Sequence, residues 1–488
     1  MKILNKKSIF FLILFLCLFG FQFQSYFEFA KNFGLDGHDT FQYVQFSSVV
    51  NTDNPYLFFY RPILFWLINF FNFLYGWTPQ SYTNFLLFFY TLSTLTLYFL
   101  LNEVLKNENL KFIFLFIFIS SNHFITSFYN HYTTLIEIFF IFAFLLFLIK
   151  GKNTKQNSYY EYLSGLFAYF GTHVHEDKFI FFIAIIFFYY FLDKKKALKI
   201  ISTLLFFSLL TLIYFSHIEL FLDIAGHTVG ISKGYQKTNF ISDFIFIIDN
   251  GLIYILTPKY VLVFYLIILS MFIFNKNKKF SIETVILFGS LIYILALSIA
   301  FGKFNLVRVL SPVLLLIPLL CFIYLDKIFI KSSIFFRYVI CVILLFFPIY
   351  SIKDVYLKLE SNKNKISKYK DSYNLINNVI LKKKGTEYKY KILQLPSFEK
   401  RNVMWNGYDG YGLASPIYYG KSANTLNAIK DKSVSDNDLV NQVLKNYNIF
   451  VTSKNHVDSL EKKIINNLRS MGYTEEKSEV YNHLIFFK

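Results

Sequence analysis

Apolar runs long enough to cross a lipid bilayer return throughout the first 350 residues, divided by short polar links, and this repetition leaves few architectures open. A helix that spans a hydrocarbon core of ~30 Å needs roughly 20 apolar residues. About eleven runs approach that length, at 8–29, 80–101, 111–128, 132–149, 160–174, 178–192, 197–216, 259–274, 281–301, 308–325 and 334–350. Hydrophobic residues fill 55% of the 488 positions and phenylalanine alone takes 64, more than a soluble chain of this length can bury. The expected fold class is an α-helical polytopic membrane protein with about 11 transmembrane helices plus interfacial helices.

The first of these runs begins like a signal peptide, with charges at Lys2, Lys6 and Lys7. It continues through Phe21 to Phe29 without a small-residue cleavage site, so it is expected to stay as a span. Cys17, Cys321 and Cys341 all fall inside apolar runs, which argues against a disulfide framework or a thiol site. The formal charge of +18 is distributed by loop. Every second link is rich in lysine: 106 and 111, then 150, 152 and 155, then 194, 195, 196 and 199, then 276, 278 and 279, then 327, 331 and Arg337. With the N-terminus inside, inner links hold about 18 basic residues against about 8 in outer links, the bias that fixes orientation in a membrane. No nucleic-acid partner is needed to explain the charge.

That orientation sends the polar loops outside. The first outer loop, 30–79, carries Asp36, His38 and Asp39 in a glycine-flanked turn, then Tyr60-Arg61-Pro62 and a short apolar run, Ile63 to Tyr75, expected to lie in the interface. Asp36 or Asp39 can act as a general base toward a hydroxyl, amine or phosphate acceptor; the plainer alternative is a solvated turn or helix cap. Arg61, and Arg308 before Val309-Leu310-Ser311-Pro312, can grip a phosphate with two donors or simply anchor a helix to headgroups. The sharpest cluster is Thr172-His173-Val174-His175-Glu176-Asp177-Lys178, a short outer connection whose residues can orient an acceptor, meet a phosphate or hold a metal. His173 and His175 are poorly spaced for a helical metal pair, so no metal and no cofactor is expected. Lys233 and Lys237, in the outer loop 217–258, are further candidates for a lipid phosphate, and a second short apolar helix is expected at Phe244 to Leu256. Glu137, near the start of a span, reads as a polar residue bonding neighbouring helices.

After Tyr350 the composition turns to lysine, asparagine, aspartate and serine. Residues 351–488 are expected to form a small α/β domain outside the membrane, beside a membrane domain at 1–350. Helices are expected at 372–382 and from Val457 to Met471, and strands at Tyr390 to Leu395, Asn448 to Thr452 and Val480 to Phe487. The segment carries +9, from 23 Lys and Arg against 14 Asp and Glu, which suits an anionic glycan or a membrane surface.

Taken together, these motifs resemble the membrane glycosyltransferases of the GT-C fold, in particular bacterial relatives of protein O-mannosyltransferases and the aminoarabinose transferases that modify lipid A. The likeness is carried by the acid-bearing first loop, by Tyr60-Arg61-Pro62-Ile63-Leu64-Phe65-Trp66-Leu67 with Leu74-Tyr75-Gly76, by His175-Glu176-Asp177-Lys178, and by Arg308-Val309-Leu310-Ser311-Pro312. Ile63 stands where family members usually have a second proline, and Val309 where they have an aromatic residue. The resemblance implies transfer of a sugar from a polyprenyl-phosphate donor to a glycan, lipid or protein acceptor on the outer face of a bacterial cytoplasmic membrane, with inversion. Departure of a phosphate needs cations more than an acid, and the acceptor needs a base. The roles implied are therefore Asp39 as base with Asp36 as the alternate, Arg61, Arg308 and Lys178 as a phosphate clamp with Lys233 and Lys237 in support, and His38, His175 and Glu176 on the acceptor side. The competing classes are a flippase or transporter of lipid-linked glycans and an O-antigen ligase or polymerase. A transporter tends to place its charges at the bilayer midplane and to show related halves, which this chain does not.

Overall fold

The computed structural model describes residues 62–75, 79–121, 134–154, 159–175, 177–215, 281–301, 313–346, 391–395, 424–425, 435–453, 459–477 and 483–488, with shorter pieces within 12–24 and 241–248 and at 353. Among the described residues, the longer helices before residue 350 are α1 (Pro62–Tyr75), α2 (Pro79–Val104), α3 (Glu108–Ser120), α4 (Thr134–Asn153), α5 (Tyr160–Val174), α6 (Lys178–Leu192), α7 (Lys194–Phe215), α8 (Ile282–Phe301), α9 (Leu316–Lys331) and α10 (Ile334–Phe346). Among the described residues, Ser81–Val104, Thr134–Asn153 and Ile282–Ile299 are long and apolar enough to cross a membrane. The spans expected at 8–29 and 259–274 and the helices expected at 244–256 and 372–382 lie wholly or mostly outside the described residues.

Two compact units are present. One comprises Met1–Tyr26, Tyr56–Leu64 and Leu86–Leu359, the other Phe27–Pro55, Phe65–Phe85 and Glu360–Lys488. In the first unit the helices are apolar on all sides, as buried or lipid-facing helices are, and their ends are closed by specific contacts. Asn107 caps α3 by accepting from the backbone N–H groups of Asn109 and Leu110, at 3.0 and 3.3 Å. Asp326 of α9 takes the two N–H groups just before it, those of Lys106 at 2.8 Å and Asn107 at 2.9 Å. At the carboxyl end of α4, Lys196 donates to the carbonyls of Gly151, Lys152 and Thr154 at 2.6, 3.3 and 2.9 Å, among the last carbonyls that a helix cannot bond within its own ladder.

Residues 308–312 of the apolar run expected at 308–325 lie outside the described residues; 313–314 are helical, and after a turn at Leu315 α9 runs from Leu316 to Lys331, past the expected end, with Pro318 in its first turn, where a missing N–H leaves no helix bond unmade.

In the second unit, Ser81 Oγ donates to Asn72 Oδ1 at 2.9 Å and Phe71 meets Phe85 edge-on, closing the α1–α2 corner. The same unit contains a five-stranded sheet in the order β2-β1-β3-β5-β4, from β1 (Ile392–Gln394), β2 (Asn424–Thr425), β3 (Ile449–Ser453), β4 (Thr474–Lys477) and β5 (His483–Phe487). Strands β1, β2 and β3 run parallel, and β5 lies antiparallel between β3 and β4. Helices α11 (Asp436–Asn446) and α12 (Ser459–Ser470) make the connections into and out of β3. Phe450, Leu484 and Phe486 share a core with Leu439, Val443, Ile464 and Leu468, so the helices cover one sheet face. Ile449, Val451, Ile485 and Phe487, on the opposite face, are buried as well, which is why these strands read as unbroken apolar runs. Helix α12 stops at Gly472, whose φ of 75° suits glycine; Tyr473 N–H then returns to the Leu468 carbonyl at 3.0 Å.

Candidate active site

Helices α5 and α6 are joined by a connection of a few residues that delivers three polar side chains to one place. His175 closes α5, its backbone N–H reaching the Gly171 carbonyl at 3.2 Å. Asp177 precedes α6, and Lys178 is that helix's first residue. Two neighbouring helices complete the cluster. Helix α4 brings Glu137 in its first turn, and α8 brings Tyr293. Gly289 makes the second approach possible: a Cβ there would run into the Ile185 side chain, so only glycine lets α8 lie this close to α6, and Tyr293 follows one turn later.

The centre is Lys178, which is fully buried. Its Nζ lies 3.0 Å from Glu137 Oε2 and donates to Asp177 Oδ1 and Oδ2 at 2.9 and 2.8 Å. Tyr293 OH is 3.1 Å away, and the ammonium lies 5.6 Å from the centre of that ring. Asp177 receives two more partners, the Tyr293 hydroxyl on Oδ2 and His175 Nδ1 on Oδ1. Burial alone would raise the Asp177 carboxyl, but His175 and Lys178 beside it hold it well below the usual carboxylate range.

Among the described residues the cluster brings two carboxylates to one ammonium. This bears on the role assigned to Lys178, since an ammonium already bracketed by Glu137 and Asp177 is poorly placed to clamp a phosphate as well. Among the described residues no group of three or more His, Cys, Asp or Glu is placed to hold a metal ion.

Of the candidate residues read from the sequence, His175 and Lys178 are thus brought together, joined by Asp177 of the same motif. Asp36, His38, Asp39, Arg61, Glu176, Lys233, Lys237 and Arg308 lie outside the described residues. Glu137, read as an interhelical hydrogen-bonding residue, is a direct partner of Lys178. Tyr293 went unread, since one tyrosine in an apolar span gives no signal in a chain with 37.

No protein-family model matches the chain, and no curated protein matches it in sequence. Solved structures do. ArnT from Cupriavidus metallidurans in the apo state superposes with a TM-score of 0.65 at 10% identity, over 99% of this chain and 98% of ArnT. The chain has the GT-C fold of ArnT. A second crystal structure, ArnT bound to undecaprenyl phosphate, gives a TM-score of 0.63 at 10% identity over 97% of each chain. The correspondence with ArnT is therefore end to end, and it lies in the path of the chain far more than in its residues.

Proposed function

We propose that this protein transfers a sugar from a polyprenyl-phosphate donor to a glycan, lipid or protein acceptor on the outer face of the cytoplasmic membrane, with inversion at the anomeric carbon. The observation that carries the reading is the end-to-end likeness to ArnT, a protein crystallised with undecaprenyl phosphate bound. Two features of the chain support it. The helix α4 has carboxylate chemistry at its first turn and lysines at its last, Lys150 and Lys152 with Lys196 against its final carbonyls. A charge distribution of this kind, extended over the alternating lysine-rich links, supports an outer acid end and an outer segment after residue 350.

In this reading the acceptor oxygen or nitrogen attacks the anomeric carbon as the bond to the phosphate breaks and its electron pair leaves with polyprenyl phosphate. Asp39, with Asp36 as the alternate, takes the acceptor proton. Arg61 and Arg308, with Lys233 and Lys237, stabilise the departing phosphate. The charge pairing of Lys178 moves it from that clamp to the acid cluster, where it holds Asp177 beside His175. His38 and Glu176 stay on the acceptor side, and no metal is given a role.

The test is stoichiometric release of polyprenyl phosphate from a polyprenyl-phosphate sugar by the purified protein. Release coupled to a glycosylated product supports the enzyme. Intact donor moving across vesicles with no release would replace it with a transporter.

A further inference from the structure

We infer that the exposed face of α7 binds a phospholipid with an anionic headgroup, which meets the lysines at the start of the helix while its acyl chains lie on the apolar stripe that follows. This face is independent of the glycosyl-transfer reading and lies wholly within the first compact unit. Along α7, Lys195, Leu198, Ser202, Leu205, Phe206 and Leu209 recur at helical spacing and are exposed. The Ser202 hydroxyl turns back onto the Lys199 carbonyl at 2.8 Å, so beyond the lysines the stripe offers apolar contact. From Lys195 to Phe206 the helix rises about 16 Å, roughly half of a ~30 Å hydrocarbon core and therefore the depth of one leaflet. Helix α6 is joined to α7 through Asp193 alone and packs along it. It adds Ile183, Phe187 and Phe191, four residues apart and exposed, with Phe191 at the level of the lysines.

The lysines at the head of this face are used in different ways. Lys196 turns inward onto the last carbonyls of α4, and Glu161 and Asp193 lie against it at 4.0 and 3.9 Å. Lys194 and Lys195 are exposed. Lys194 Nζ stands 5.6 Å from the centre of the Tyr190 ring, and Lys199 Nζ 5.7 Å from that of Tyr162, a ring that is itself exposed. Tyrosine rings beside ammonium groups, at the point where an apolar face begins, suit the boundary between acyl chains and water, with the rings in the boundary and the charges on its wet side. Orientation in a membrane asks only that positive charges stay on one side; it does not ask that they head an apolar face one leaflet deep. A phosphate at that level meets several ammonium groups, and a headgroup with net negative charge is favoured over a zwitterionic one, whose own cation offsets its phosphate.

The experiment measures, by native mass spectrometry, the lipids that the full-length protein in detergent retains from an equal mixture of dioleoyl phosphatidylglycerol and dioleoyl phosphatidylcholine. The wild type is expected to favour phosphatidylglycerol by about 10-fold or more in apparent Kd. The pair Lys194→Gln and Lys195→Gln should abolish that preference, and the pair Lys194→Arg and Lys195→Arg should keep it. Lys327→Gln with Lys331→Gln removes the same charge from another lysine-rich link and should leave the preference in place. Preference absent from the wild type, lost in the arginine pair, or lost equally in both glutamine pairs would overturn the site, the last because net charge and not this face would then be the attractant. Displacement of the bound phosphatidylglycerol by an equal amount of polyprenyl phosphate would also overturn it, by making the face a contact for the carrier lipid.

Discussion

Removing Lys178 and removing Glu137 are unequal injuries, although the two side chains are partners at 3.0 Å. Lys178→Met takes from Glu137 and Asp177 the buried ammonium they share, which costs about 3–5 kcal/mol. Glu137→Gln leaves the Lys178–Asp177 pair intact and costs about 1–3 kcal/mol. Thermal unfolding in detergent should therefore rank the variants in that order, with the double variant more stable than Lys178→Met alone. A second residue-scale effect lies in the sheet-bearing unit, where Glu475 accepts from Arg469 Nε at 2.9 Å with Lys477 3.4 Å away. The Arg469 hydrogen bond is the main cause of a Glu475 carboxyl held below its ordinary value. A depressed carboxylate stabilises the fold above the unfolded-state value, and that contribution fades as the pH falls through the folded-state value. Glu475→Gln should lower the melting temperature near pH 7, and the gap from wild type should close between about pH 6 and about pH 3. A gap independent of pH would assign the loss to packing.

The helices owe their spacing to small residues at particular crossings. At Gly165 of α5 an added Cβ would stand 2.7 Å from Thr203 Cβ and 2.8 Å from the Ile200 carbonyl oxygen of α7, and a backbone carbonyl cannot swing aside. Gly165→Ala should therefore destabilise the protein by about 1–3 kcal/mol. Gly20, where an added Cβ meets nothing within 4 Å among the described residues, should accept alanine without loss, and unfolding midpoints of the two variants check the contrast. What was legible in the sequence follows from the same physics. A span signals itself by apolar length, so α2, α4, α5, α6, α7 and α8 fall close to their expected places, and β3 and β5 overlap the apolar runs read as strands. The continuation of α9 to Lys331 was not legible from hydropathy, because Asp326 and Lys327, which end the apolar run, find partners in the backbone N–H groups of Lys106 and Asn107 and in Glu283. Nor was the alliance of Glu137 with Lys178 and Tyr293, since it arises from helix crossings distant in sequence. His175, Asp177 and Lys178 were visible because ionisable groups are costly near a membrane and their crowding in one short link stands out.

For the molecule as a whole, α4 sets the scale. Twenty residues span about 30 Å, the thickness of a bilayer's hydrocarbon core, from the Glu137 turn to the Lys196-capped end. A carboxylate lies in the first turn of α4 and lysines in its last, the pattern that the alternating lysine-rich links repeat along the sequence. The central claim is that the outer end transfers sugar from a polyprenyl-phosphate carrier with Asp39 and Arg61 at the reacting centre. Its most direct test is release of polyprenyl phosphate from a polyprenyl-phosphate sugar by purified wild-type protein, Asp39→Asn and Arg61→Ala. Turnover by the wild type and a loss of about 100-fold or more in each variant, with unfolding midpoints unchanged, are expected. Wild-type turnover that survives both substitutions would contradict the assigned centre, and no turnover from any donor would contradict the function itself.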